Sequence, residues 1–364
     1  MSLTVLQLCA DKGIAPGATK GAAQHLRGIA DGLAAQGHHV VTYTARRPDG
    51  PFPVEVRDIA TLTDIEVAGA DVVYERYSLG HTRGLELARR AGVMFVLEVN
   101  SPLVDEASAH RPDTVQDHHV VAERELLAEA DLVVAVSSDL ARWVSLHRDG
   151  PTEVVSNGFE PTWFSGDITA KTHDLVFLGH PKPWHGADRL PGLLKGLESF
   201  GHHASLLVVG GGPGADDLER AAKAAGLAER VTITGAMSPQ NASAMVRRGR
   251  IGLAPYPPIT PFYFCPLKVV DYMAAGLPVV ATAQGDIPEI VGSGGLLSDP
   301  ADDDAMVAAI ATLLEDRRLA VELGARGWAR AHRDMTWNQV ARRTLEAIDN
   351  VVHKHSMTSC GANR

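Results

Sequence analysis

The stretch Pro261-Phe-Tyr-Phe-Cys-Pro-Leu-Lys-Val-Val-Asp-Tyr-Met-Ala-Ala-Gly276 reads as a loop that turns into a short helix. Pro266 suits the first helical position, because the N–H it lacks would be unpaired there anyway. Gly276 suits the helix exit, and Pro278 forbids continuation. The spare N–H groups near Phe264, Cys265, Leu267 and Lys268 point at whatever lies before the helix, and such an end favours an anion. Lys268 adds a full positive charge. Asp271 lies one turn further in on the same face, where a carboxylate accepts hydrogen bonds from a ribose diol while the helix end holds phosphates. The competing reading is a Lys268–Asp271 surface pair on an ordinary loop and helix.

Outward from this stretch, apolar runs alternate with helix-length segments, the pattern of parallel sheets covered by helices. Residues 279–282 follow the helix as a buried strand. Earlier strands fall at 5–8, 39–44, 71–74, 93–99, 131–136 and 152–155. The alternation restarts with strands at 174–178, 204–209, 231–234 and 251–254. The chain therefore divides into an N-terminal domain over 1–160, a linker at 161–172, a second domain over 173–335 and a final helix over 336–355. The polar tail beyond is expected to be disordered. Strand, Gly-containing loop, helix and strand open the chain in that order, which puts the loop with Gly17 and Lys20 at a strand's carboxyl end. Arg76, Glu98 and Asn100 fall at strand ends too. A carboxylate inside Val-Met-Phe-Val-Leu-Glu-Val must be paired or exposed, so Glu98 is either a site residue or half of a structural ion pair with Arg76.

The chain has 364 residues, 45% apolar and 21% charged, enough for two well-buried globular domains. A formal net charge of -10 argues against a general nucleic-acid binder, which needs a basic face. No apolar run reaches the ~20 residues of a membrane span, and the start lacks the basic region and cleavage site of a signal peptide. Cys9, Cys265 and Cys360 are odd in number and far apart, so no disulfide framework is expected and a cytoplasmic location is the default. The sixteen histidines are scattered without metal-ligand spacing, and no metal site is assigned.

The stretch 261–276, with the Gly285-Asp-Ile-Pro-Glu-Ile-Val291 that follows, resembles the donor-binding motif of retaining glycosyltransferases of family 4, which have the GT-B fold. The resemblance covers most of the chain and is strongest over 175–291. It implies two Rossmann-like parallel-sheet domains facing across a cleft, the donor in the second and the acceptor against the first. It implies transfer of a hexosyl group from a UDP- or GDP-type sugar to a hydroxyl on a soluble small molecule or glycan, with retention and without a metal or other cofactor. Neither nucleic acid nor integral membrane association is implied. The family's second motif glutamate, which binds ribose, falls on Asp271; the first falls on Tyr263. Its diphosphate-neutralising arginine and lysine fall on His180 and His185, and the variant ending Pro-Trp-His-Gly186 leaves Lys182 as the permanent cation. Alternatively Lys182 is solvated and Trp184 packs at the domain interface. The family's donor-sugar histidine falls on Asn100, an amide that binds a hydroxyl but does not shuttle a proton. The last helix is implied to cross back onto the first domain. Two other readings stay open: a sugar-nucleotide epimerase of this architecture, with Glu98 as the nameable acid/base group, and a non-catalytic sugar-nucleotide-binding protein.

Overall fold

The computed structural model describes residues 2–165 and 170–361, in two compact units. Unit 1 holds the chain up to Gly158, the segment Tyr263–Cys265, and the chain from Trp337 on. Unit 2 holds Phe159–Phe262 and Pro266–Thr336. Of the expected linker, Pro161–Phe164 forms a short 3-10 turn capped by Glu160, and residues 166–169 lie outside the described residues.

Unit 1 is built on seven parallel strands: β1 (Thr4–Cys9), β2 (His39–Thr44), β3 (Glu55–Asp58), β4 (Val72–Arg76), β5 (Met94–Val99), β6 (Leu132–Ala135) and β7 (Thr152–Val154). Their spatial order is β3-β2-β1-β4-β5-β6-β7. The inner strands are buried on both faces, which is why they read as unbroken apolar runs. Strand β3 has no such run. Its Glu-Val-Arg-Asp joins the edge through backbone pairing, Val41 opposite Glu55, and through Arg57, which donates to the Tyr43 hydroxyl at 3.1 Å, and hydropathy does not reveal it.

Unit 2 repeats the design with six parallel strands: β8 (His173–Leu178), β9 (Leu206–Val209), β10 (Val231–Ile233), β11 (Gly249–Ala254), β12 (Val279–Thr282) and β13 (Gly295–Ser298). Their order is β10-β9-β8-β11-β12-β13. In both sheets the first strand has neighbours reached by crossovers in opposite directions. That reversal opens a crevice at the carboxyl ends of β1 and β4 in unit 1, and of β8 and β11 in unit 2. The loop with Gly17 and Lys20 follows β1, and Arg76 ends β4. The loop with His180, Lys182 and His185 follows β8, and the quoted stretch follows β11. Each candidate segment thus leaves its sheet at the place where such sheets hold ligands.

The helix Leu267–Ala274 begins one residue later than expected. Pro266 is its N-cap, with extended backbone, and its carbonyl accepts from the Val269 amide. At the exit, the Gly276 and Leu277 amides donate to Met273 and Tyr272 carbonyls, and Gly276 takes φ 69°, where a side chain is disfavoured. In unit 1 the final helix runs Trp337–Gly361, so the backbone is helical to Gly361, into the tail that composition assigned to disorder. It packs on the first helix, Gly21–Ala35. A Cβ on Gly28 would stand 2.1 Å from the Trp337 ring, so only glycine lets these two helices approach so closely.

Candidate active site

In unit 2 the helix Leu267–Ala274 is pinned by Tyr272. Its hydroxyl donates to the Leu253 carbonyl at 3.0 Å and accepts the Leu178 amide at 2.7 Å, tying the helix to the ends of β11 and β8. The ring lies against Gly252, where a Cβ would meet it at 2.4 Å. The backbone amides of Leu267 and Lys268, first in the helix, have no partner among the described residues, as helix geometry requires. Phe264 and Cys265, expected beside them, belong to unit 1.

Lys268 is not on the surface. It is 7% exposed, and its Nζ is buried without a hydrogen-bond partner. The ammonium lies 4.0 Å over the Phe177 ring and 5.1 Å from that of Tyr256. Ring faces attract a cation but do not replace its hydrogen bonds. Burial therefore pushes Lys268 down to about 7. Asp271, half-buried one turn on, is pushed up to about 7, also by burial. Neither shift draws on the other's charge, so the competing reading, a Lys268–Asp271 surface pair, is not what the helix forms.

The loop after β8 lies alongside. His185 packs edge-on to Tyr256 at 6.0 Å, and its Nδ1 donates to the His180 carbonyl at 2.8 Å. Burial first, then the positive charge of Lys268, push His185 down to about 4, so it is a neutral ring at pH 7. His180 is exposed and bonds the Gly211 carbonyl through Nδ1. Lys182 is exposed, its Nζ 4.7 Å over the Trp184 ring. Tyr256 is held through its carbonyl, which accepts from Arg189 at 2.9 Å and Gln284 at 3.2 Å. So Lys268 and His185 come together around Tyr256, with Lys182 at the solvent margin, while Asp271 lies one turn on along the helix.

In unit 1 the groups at the strand ends form a different kind of cluster. Glu98 is 1% exposed. Its Oε1 lies 2.8 Å from His25 Nε2 and 3.3 Å from Arg76 Nη1, and its Oε2 accepts from the Tyr74 hydroxyl at 2.5 Å. Burial raises the carboxyl, but His25, Arg76 and Tyr74 outweigh it and hold Glu98 down at about 2. Asn100, one residue beyond β5, has a buried Oδ1 with no partner. Gly17 takes φ 79° against the Gly50 backbone, which closes the loop after β1. Lys20 is exposed at the N-cap of the first helix. Tyr263, Phe264 and Cys265 are anchored in this unit: Ser137 donates to the Tyr263 carbonyl at 2.8 Å, and Asn157 Nδ2 donates to the Cys265 carbonyl at 3.0 Å.

His25 and Asn157 were not singled out in the sequence. A signal for His25 was present: it is a polar residue on the face shared by Ala22, Leu26, Ile29 and Leu33. Tyr256, Tyr272 and Phe177 are buried, and they also shape the site. Among the described residues, no group of three or more His, Cys, Asp or Glu side chains could hold a metal ion, and no helix is long and apolar enough to cross a membrane.

Comparison with known proteins identifies the fold. Residues 172–316 match the family model for glycosyl transferases group 1. A GDP-mannose-dependent alpha-(1-6)-phosphatidylinositol monomannoside mannosyltransferase of Mycobacterium tuberculosis is 29% identical over 188 residues, 48% of this chain and 46% of that protein. The chain thus matches about half the length of this curated relative. Among solved structures, Anabaena Alr3699/HepE in complex with UDP superposes with a TM-score of 0.73 at 18% identity, covering 96% of this chain and all of that one. Sucrose-phosphate synthase from Thermosynechococcus elongatus gives a TM-score of 0.71 at 19% identity, covering 97% of this chain and all of that one.

Proposed function

We propose that this chain, a GT-B protein whose residues 172–316 match the model for glycosyl transferases group 1, moves a sugar from a nucleoside diphosphate sugar to a hydroxyl acceptor. The observation that carries this reading is the Lys268 ammonium, buried and lacking hydrogen-bond acceptors, on the first turn of a helix with two spare amides. An ammonium left so is costly unless an anion completes it. A diphosphate supplies the acceptor oxygens, and the helix end supplies further donors. UDP in one structural neighbour and GDP-mannose in the name of one relative indicate the ligand class.

In this reading unit 2 binds the donor. Lys268 and the Leu267 and Lys268 amides take the diphosphate, Asp271 accepts from the ribose diol, and Lys182 closes over the phosphates from the solvent side. His180 and His185 line the same loop, His185 as a neutral donor. The bond from the anomeric carbon to the phosphate oxygen breaks as the acceptor oxygen bonds that carbon, and the acceptor proton passes to the leaving phosphate. Preorganised positive groups stabilise the charge that develops on the diphosphate, so the residues in hand suffice without a metal. Retention follows if the acceptor attacks from the leaving-group face. In unit 1 the orphaned Oδ1 of Asn100 accepts a substrate hydroxyl, and Arg76 and Glu98 fix the strand ends beside it. Glu98 remains ionised down to about pH 2 and so donates no proton, which disfavours the epimerase reading.

Calorimetric titration with UDP and with GDP tests the site. The wild type is expected to bind at least one of them. Lys268→Met should weaken that binding by ~10- to 150-fold, the worth of hydrogen bonds to a charged group. Equal affinity in wild type and variant would remove the basis of the assignment.

A further inference from the structure

Unit 2 has a cavity at the pole opposite its nucleotide segments. Lys171 and Asp174 stand at the start of β8, Arg250 at the start of β11, and Leu277 and Pro278 lead into β12. These are the amino ends of the strands, whereas the segments with Lys182 and Lys268 follow the carboxyl ends. Strand β8 has six residues, so its two ends lie roughly 17 Å apart. The helix Arg317–Asp334 closes one side of the cavity with Arg317, Ala320 and Val321. The cavity volume is about 250 Å³. A cavity of about 150 Å³ takes a benzene ring, so this one has room for a ring and a small polar group.

Two kinds of side chain line it. Leu277, Pro278, Leu314, Ala320 and Val321 are apolar, and Val321 is 65% exposed. Lys171, Arg250 and Arg317 set three cations against the one carboxylate of Asp174. That carboxylate is already engaged. Its Oδ2 accepts from the Ser205 amide at 2.9 Å and the Ser205 hydroxyl at 2.8 Å. Its Oδ1 is 3.7 Å from Arg250 Nε, too far for a hydrogen bond. An ammonium has three donors, and one from Lys171 goes to the Arg247 carbonyl at 3.0 Å. Burial, and then the positive charges of Arg247 and Arg250, push Lys171 down to about 8. The cations here press on one another with too little negative charge among them.

We propose that this cavity is a second ligand site, for a phosphate monoester with a compact apolar body. Lys171, Arg250 and Arg317 hold the phosphate, and the body lies on Leu277, Pro278 and Val321. The charge decides for phosphate. Three cations less one carboxylate leave two positive charges, and a phosphate monoester carries about −1.5 to −2 at pH 7. A carboxylic acid supplies only one. Guanidinium forks match phosphate oxygens, and the lysine adds a point charge. The site shares no residue with the nucleotide site proposed above and does not depend on it.

Phenyl phosphate is the probe. Calorimetric titration of the full chain at pH 7 should give a Kd of ~1 mM or tighter. Inorganic phosphate, which cannot use the apolar wall, should bind ~10-fold or more weakly. Arg250→Gln and Lys171→Gln should each weaken phenyl phosphate binding by ~10-fold or more. Val321→Glu, at an exposed position where folding is not at stake, should abolish it. Two variants should change nothing: Lys268→Met, and Arg220→Gln, which removes a cation of the same unit that pairs with Asp217 and does not line the cavity. An equal loss in Arg220→Gln would reduce the effect to general charge attraction. A loss in Lys268→Met with retention in Arg250→Gln would put the anion at the nucleotide helix. Equal affinity for both phosphates would mean an adventitious ion only. Binding to phosphatidylglycerol vesicles without binding of phenyl phosphate would make the cavity part of a membrane-facing patch. Each of these results overturns the inference, as does a wild type that leaves ~10 mM phenyl phosphate unbound. A wild type that binds neither UDP nor GDP would sink the proposed function and leave this site untouched.

Discussion

Glu98 and Lys268 are two buried charges, one in each unit, and they have been treated in opposite ways. Glu98 lies inside a finished network: each oxygen has a donor, and the acid is held at about 2 against its burial. Lys268 lies in an unfinished one: two ring faces, no acceptor, and an ammonium pushed down to about 7. Burial is similar in both, so desolvation does not make the difference; the partners do. A completed charge is part of the fold. An incomplete one is a standing cost that a ligand can relieve.

The largest effect expected from this contrast is on stability in unit 1. Glu98→Gln strands His25 and Arg76 beside a neutral amide and should destabilise the protein by about 3–5 kcal/mol, read from denaturant unfolding of the transition that includes unit 1. A loss within experimental error would mean that the network is not finished in the sense argued. Next comes Lys182→Ala, expected to slow nucleoside diphosphate release from the donor by at least ~10²-fold, the worth of one preorganised donor. Near-normal turnover would leave Lys182 as a solvated lysine on Trp184.

Smaller, and opposite in sign to Glu98→Gln, is the effect of Lys268→Met on the empty protein. Removing an uncompensated ammonium should stabilise it by about 1–3 kcal/mol, visible as a raised Tm, while binding is lost. The pH dependence sharpens this test. Lys268 in the fold titrates near 7 instead of 10.5, so between these values the unfolded chain holds a proton that the folded chain has released. Wild-type stability therefore gains with rising pH relative to the variant, and the gap between the two should narrow from pH 7 to 10. A constant gap would show that Lys268 keeps its charge through a partner. Smallest is Asp271→Asn, which should weaken nucleoside diphosphate binding by ~3- to 10-fold, as expected for one hydrogen bond exchanged against water. Unchanged affinity by calorimetry would reject the ribose role.

Periodicity alone revealed much of the architecture. Strands buried on both faces must be apolar throughout, so β1, β2, β4, β5, β6, β8, β9, β11 and β12 stand out as runs. Strands held mainly by backbone pairing at a sheet edge, such as β3, carry no such signal. The helix Leu103–His110 was also passed over, since its Leu-Val-Asp-Glu-Ala-Ser-Ala-His shows little amphipathic contrast. At the site, Lys268 and Asp271 were legible because punctuation by Pro266 and Gly276 framed a helix and placed them on its first turns. Their burial was not legible: a lysine three residues before an aspartate on a helix reads as a surface pair.

The sequence by itself determined two parallel-sheet domains, the helix that opens at Pro266, and a set of polar groups at strand ends, because each depends on local spacing and backbone chemistry. Tertiary structure alone decided which charges were satisfied. His25, Asn157 and Cys265 are separated by more than a hundred residues at each step and meet only in the folded unit, and Lys268 is left without an acceptor only because Phe177 and Tyr256 close around it. Whether a charge is completed is a property of everything within a few ångströms of it, and that neighbourhood does not exist until the chain has folded.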